Sequence, residues 1–294
     1  MIQGPITIPS KERTHPITGE SFHVTMGHEF SGRIISAPSD SGLKPGQAVM
    51  VDPRIHCTNC SRCTAGSTQC CTSLGFKGLS GAGGGFSETI AVDAKMCYPL
   101  PDDIDLSLAT LIEPLAVAWH AVADSAITEW PDRSVLIVGG GPVGVAHIFV
   151  LRALGCRNIF VSEPTKTRAA QNKKIADAVF NPITESVGES CRTLTGGEGV
   201  DVVFDCAGIQ AGFDVGMDAL RFKGTYMNVA VWLGSPVCML CICLDQGADK
   251  LQMIVPFIPF MLKEITLKCS LAYNDDEFKE TVDAFIAGES DDSK

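Results

Sequence analysis

Two patterns of apolar positions divide the chain. Up to about residue 100 the apolar runs are short and set between turns rich in Gly, Pro and Thr. "FSGRIIS" at 30–36, "QAVMVDP" at 47–53 and "FSETIAV" at 86–92 predict strands joined by long loops. From about residue 112 strand-like and helix-like periods alternate. Helical patterns occupy 114–126, 142–155, 165–177, 211–222 and 276–288, and strand patterns 134–139, 158–163, 200–206, 225–231 and 265–271. Such a βαβ series predicts a doubly wound, mostly parallel sheet. The fold class is therefore α/β, with a β-rich first domain over 1–111, a second domain over 112–294, and the seam at 101–112.

The longest uncharged run, "TYMNVAVWLGSPVCMLCICL" at 225–244, has the length of a membrane span, but Gly234, Ser235 and Pro236 interrupt it. It reads as a buried strand followed by a loop.

Composition narrows the class. The 294 residues are 45% apolar and 19% charged, as in globular proteins. A net charge of −11 without a basic run argues against nucleic acid and against an anionic membrane surface as partners. The first twenty residues carry no apolar signal core, so a cytoplasmic location is expected. Thirteen cysteines in such a setting are metal ligands, reactive thiols or small core residues. Cys97, Cys156, Cys191, Cys206 and Cys269 are isolated and read as core.

Chemistry enters at three places. In "CTNCSRCTAGSTQCC", Cys57, Cys60 and Cys63 are separated by two residues each, and Cys71 follows after seven. A tight turn brings such thiolates onto one ion, and a fourth closes a tetrahedron with no open position, which is a structural zinc site. Cys70 is the alternative to Cys71. Next, "SVLIVGGGPVGVAHIFV" places Gly139, Gly141 and Gly144 in G-x-G-x-x-G spacing between a strand and a helix that Pro142 and Val143 open. Gly139 permits the turn, Gly141 lets a pyrophosphate approach the backbone, and Gly144 lets helix and strand pack closely. Glu163, nineteen residues beyond Gly144, can accept hydrogen bonds from ribose hydroxyls and repels a 2′-phosphate, which favours NAD over NADP. Arg168 reads either as a group over the adenine or as a solvated helix charge. Finally, His28 and Glu29 in "TMGHEFSG" can both reach one ion only at a kink, which Gly27 permits. Glu113, ahead of Pro114 at the start of a helix, is favoured there by the helix N-terminus and is also the third candidate ligand.

In combination, "GHEFSG", the four cysteines, "GGFSE", "EPLAVAWHA", "GGGPVG" and "FDCAG" resemble the zinc-dependent medium-chain alcohol dehydrogenases. "HPITGE", "VSEP" and "KEITLKCSLAY" are most similar to the 2,3-butanediol dehydrogenase branch. The resemblance implies a GroES-like catalytic domain and a Rossmann domain with the active site in the cleft between them. It implies reversible oxidation of a secondary alcohol of a small diol to a ketone, with zinc as Lewis acid and NAD as hydride acceptor. Carried onto this chain, His28, Glu29 and Glu113 match the catalytic zinc site, Cys57, Cys60, Cys63 and Cys71 the structural one, and Gly139, Gly141, Gly144 and Glu163 the NAD site. A homo-oligomer is a further expectation.

Three departures from that pattern shape the expectations. The family carries a zinc-ligand cysteine some tens of residues before "GHEFSG", whereas this chain has none before Cys57, so the ligand and the first GroES-like strands are expected upstream of Met1. Around 238–258 lies "CMLCICLDQGADKLQMIVPF", with three cysteines in six residues and no clear period, which reads as an insertion. After "AGESDDSK" the family continues with a segment returning to the catalytic domain, expected to be missing here. Little or no turnover is therefore expected of this polypeptide. The alternatives are a sorbitol- or xylitol-type dehydrogenase and an inactive zinc-containing fragment.

Overall fold

The computed structural model describes residues 14–21, 24–81, 83–232 and 253–289. The chain forms two units, one of Met1–Val117 with Ala272–Lys294 and one of Ala118–Leu271.

In the first unit β1 (Ser31–Arg33), β2 (Ala48–Val51) and β5 (Cys97–Pro99) form an antiparallel sheet in the order β1-β2-β5. Ser31 faces Met50 and Val49 faces Pro99. The short strands β3 (Arg54–Ile55) and β4 (Gly75–Phe76) pair antiparallel and flank a loop that carries the four-residue helix α1 (Ser61–Thr64). Phe30, Val49, Val51 and Met96 make a small core. The expected strand at 86–92 does not form. Ile90 and Val92 pack on that core as the alternation requires, but no described strand lies beside them to complete a ladder. The helix α2 (Leu106–Ala109) is capped by Asp105, whose Oδ1 accepts from Ser107 N at 2.7 Å, and α3 (Ile112–Asp124) follows. By length and composition the run Leu106–Asp124 is apolar enough to cross a membrane, a test that core helices also pass, and Ile112, Ala116, Ala118 and Ala121 are fully buried here.

The second unit holds six parallel strands: β6 (Ser134–Val138), β7 (Asn158–Ser162), β8 (Ala178–Phe180), β9 (Val200–Asp205), β10 (Leu220–Asn228) and β11 (Thr266–Cys269). Their order is β11-β10-β9-β6-β7-β8. Every residue of β6 and β9 is buried, as expected of central parallel strands covered on both faces. Transferring each of their large apolar side chains from water contributes about 1.5–3 kcal/mol. The helices α4 (Pro142–Ala153), α5 (Lys166–Asn172), α6 (Val187–Leu194) and α7 (Gln210–Ala219) connect the strands, and α8 (Phe257–Leu262) precedes β11. The strand order reverses at β6, which pairs with β7 on one side and β9 on the other. Ligand-binding loops in such sheets gather at this reversal.

Two expectations change. The chain re-enters the first unit at Ala272, so α9 (Asp275–Glu289) belongs there and not to the nucleotide-binding unit, and the boundary falls within α3. The physical reason is Arg54, which donates to the Tyr273 carbonyl and to Asp275. Cys156 and Cys191 are buried as expected, but Cys269 is exposed because its strand is the sheet edge. Of the proposed insertion at 238–258, the stretch through 252 lies outside the described residues, as does the loop half of the uncharged run. Met253 and Val255 pack on the sheet core, and Gln210 exchanges two hydrogen bonds of 2.9 Å with the backbone of Ile254. Lys263 Nζ then donates to the Leu220 carbonyl at 2.8 Å, just past the end of α7.

Candidate functional site

The four-cysteine loop converges. One sulfur from each of Cys57, Cys60, Cys63 and Cys71 lies within 4.8 Å of the others, which selects Cys71 over the exposed Cys70. Cys71 Sγ accepts from the amides of Cys57 at 3.3 Å and Ser73 at 3.4 Å. Backbone amides, led by that of Cys63, pull the Cys60 thiol down to about 5, whereas burial pushes Cys63 up to about 12. Four sulfurs this close cannot all carry charge without a cation. The donor set thus fits a closed, tetrahedral zinc site.

A second group of donors lies in the same unit. One donor atom each from His28, Glu29 and Glu113 lies within 4.8 Å of the others. Adjacent side chains reach one point because Gly27 sits at φ +101°. That kink is clasped from outside: Gly85 N donates to Gly27 O at 2.7 Å and Phe86 N to Met26 O at 3.0 Å. A side chain at Gly78 would strike the Gly27 carbonyl at 2.1 Å. Glu113 lies inside the first turn of α3, one residue further in than the sequence places it. It is buried at 3% exposure, and Tyr273 Oη donates to its Oε1 at 3.1 Å. Burial and the neighbouring Glu29 push Glu113 up to about 8, and burial holds His28 below its ordinary value. A neutral imidazole and two crowded carboxylates form a donor set that a divalent cation relieves, and three donors leave a fourth position open.

The glycine-rich turn lies in the second unit, at the sheet reversal. Gly139 has φ +96°, and a Cβ there would meet the backbone after β9 at 3.2 Å. At Gly144 a Cβ would strike the Gly139 carbonyl at 2.0 Å, so only glycine lets α4 pack this closely. Over Gly141 the space is open, and a Cβ would meet only Arg168 Nη1 at 3.9 Å. Pro142 starts α4, and Val143 lies in its first turn, whose unpaired amides suit phosphates. This open cradle at a helix N-terminus fits a dinucleotide pyrophosphate. Arg168 is exposed and stands beside the turn, nearer the phosphate position than the sequence suggests.

Glu163 does more than its position predicts. Its Oε2 accepts from Gly140 N at 2.9 Å and its Oε1 from Thr165 N at 2.7 Å. It is buried and braces the glycine turn from beneath. Opposite it stands Asn172, which sequence reasoning missed. Its Nδ2 donates to Gly140 O at 3.0 Å and to Arg168 O at 2.7 Å. A Cβ at Gly140 would meet that nitrogen at 2.5 Å, which explains the middle glycine of "GGG". No sequence pattern flags Asn172, since its role depends on a turn 32 residues earlier.

Comparison with known proteins shows the family. Residues 142–287 match the zinc-binding dehydrogenase family, and 7–102 the alcohol dehydrogenase GroES-like domain. The chain is 34% identical to an (R,R)-butanediol dehydrogenase of Saccharomyces cerevisiae over 98% of its own length and 75% of that protein. It is 31% identical to a "Probable D-xylulose reductase A" of Aspergillus terreus over 90% of its length and 71% of that protein. The crystal structure of 2R,3R-butanediol dehydrogenase from Bacillus subtilis superposes with a TM-score of 0.80 at 28% identity, covering 97% of this chain and 75% of that one. The chain belongs to the zinc-binding alcohol dehydrogenases, oxidoreductases built from a GroES-like domain and a Rossmann-type domain.

Proposed function

We propose that the chain carries the site of an NAD- and zinc-dependent dehydrogenase acting on a secondary alcohol of a small vicinal diol, of the 2,3-butanediol and acetoin type. The observation that carries this reading is the convergence of His28 and Glu29 with Glu113, 84 residues later in the chain, on one point within 4.8 Å. Zinc bound there would supply Lewis acidity toward an alcohol oxygen, and NAD the hydride acceptor. The chain's own residues do the remaining work. His28, Glu29 and Glu113 hold the metal and leave one position for substrate. The α4 amides and the open face of Gly141 take the pyrophosphate. Glu163 accepts from Gly140 N and Thr165 N, which fixes the turn under the pyrophosphate, and its carboxylate just past β7 disfavours a ribose 2′-phosphate, which supports NAD over NADP. Cys57, Cys60, Cys63 and Cys71 hold a second, structural zinc.

The decisive assay compares initial rates on 2,3-butanediol, sorbitol and xylitol with each nucleotide, against a His28→Ala control. Faster oxidation of butanediol with NAD supports the reading, and a preference for sorbitol or xylitol replaces it with the polyol alternative. A second reading, a chain that holds only the structural zinc, is favoured by the donor sets themselves: four cysteines close a tetrahedron, whereas His28, Glu29 and Glu113 supply three donors. Rates equal to those of His28→Ala on every substrate would establish it.

A further inference from the structure

We infer that Tyr273 is the positioning residue for Glu113, fixing the direction in which that carboxylate meets His28 and Glu29. The inference rests on the reading of these three as a metal site. Tyr273 Oη donates to Glu113 Oε1 at 3.1 Å, and both side chains are buried. The terminal torsion of a glutamate is broad and barely restrained by itself. A fixed hydrogen bond to one oxygen sets it, and with it the direction of the other oxygen.

Tyr273 is itself held on three sides. The Arg54 guanidinium lies 4.5 Å above its ring, and Nη1 of Arg54 donates to its backbone carbonyl. On another side the ring stacks on Phe278, with centroids 5.1 Å apart and an interplanar angle of 26°. Arg54 is buried and pinned by Asp52 through bonds of 3.0 Å and 2.6 Å, by Thr68 Oγ1 at 2.9 Å and by Asp275 at 2.8 Å. Thr68 belongs to the turn that leads into Cys71. A continuous set of contacts thus runs from the four-cysteine loop through Arg54 and Tyr273 to Glu113. Partners that orient a metal ligand typically change metal affinity about 10–100-fold when lost.

Cobalt(II) binding to the full chain tests this without relying on turnover. The wild type is expected to take two cobalt ions, one with the strong thiolate charge-transfer absorption of the cysteine site and one with the weaker bands of a His and carboxylate site. His28→Ala identifies the second. Tyr273→Phe keeps the ring for Arg54 and Phe278 and removes only the hydroxyl. It should leave the thiolate absorption intact, weaken cobalt at the second site about 10–100-fold and alter its bands. In a Glu113→Ala background the same substitution should have no further effect. A Tyr273→Phe chain with wild-type affinity and bands overturns the inference while the metal site stands. So does an equal loss in both backgrounds, since the hydroxyl then acts other than through Glu113. A wild type that binds one cobalt, indistinguishable from His28→Ala, overturns the metal-site reading and the inference with it.

Discussion

Glu163, the candidate ribose-binding carboxylate, also has a structural role. Its carboxylate accepts two backbone amides below the glycine turn, and a buried donor left without a partner costs about 1–3 kcal/mol. Glu163→Ala should therefore lower stability by about that amount in denaturant melts and weaken NAD binding about tenfold or more. Unchanged stability would mean the brace is not formed in solution. His147 makes a second prediction at this scale. Its Nδ1 donates to Val143 O at 2.8 Å, and burial lowers its pKa from 6.5 to about 4. Exposed in the unfolded chain, the imidazole takes up a proton near its ordinary value while the folded one remains neutral. Stability contributed by the neutral ring is present above about 6.5 and lost as pH falls toward about 4, at about 1.4 kcal/mol per pH unit. Melting His147→Leu beside the wild type across that range should show the slope reduced by about one proton. Parallel curves would sink the assignment.

At the scale of elements, the peptide of Gly140 is gripped from both sides, by Glu163 through its N–H and by Asn172 through its carbonyl. Gly140→Ala should raise KM for NAD about tenfold, because its Cβ would lie 2.5 Å from Asn172 Nδ2, which is buried and held by the Gly140 and Arg168 carbonyls. Adding Asn172→Ala should recover part of that loss, whereas independent, additive penalties would show that the two do not meet. The strands β6 and β9 and the helices α3, α4 and α9 are legible in the sequence because their apolar periods are long and bounded by Gly, Pro or acidic residues. By contrast β8 and α6 are not called by pattern. The former has three residues, and the latter is a polar helix whose start depends on Ser186 capping Glu189 N. Residues 86–92 show the reverse case, where an alternating pattern reports burial without a partner strand.

For the whole molecule, metal content is the property that separates the readings. Purified, metal-dialysed chain should hold about two zinc ions, and His28→Ala about one. Chelation strong enough to strip the cysteine site should cost far more stability than loss of the other ion, since a closed thiolate site ties down a loop with little core of its own. One zinc in the wild type would leave His28, Glu29 and Glu113 as a cluster of side chains that holds no metal. The chain spans about three quarters of the length of the butanediol dehydrogenases it matches, so turnover has to be measured on this polypeptide rather than carried over from them.

The sequence by itself determined the family, the cysteine spacing, the glycine turn, and His28, Glu29 and Glu113 as candidates, because each of these is a local pattern or a run of residues bounded by one. Only the tertiary structure decided that Ala272 onward rejoins the first unit, that Cys71 and not Cys70 completes the tetrad, and that Glu163 faces the glycine turn. It alone disclosed Asn172 and Tyr273. Their partners lie 32 and 160 residues away, and contacts at that separation are set by how sheets and helices pack, which no local period records.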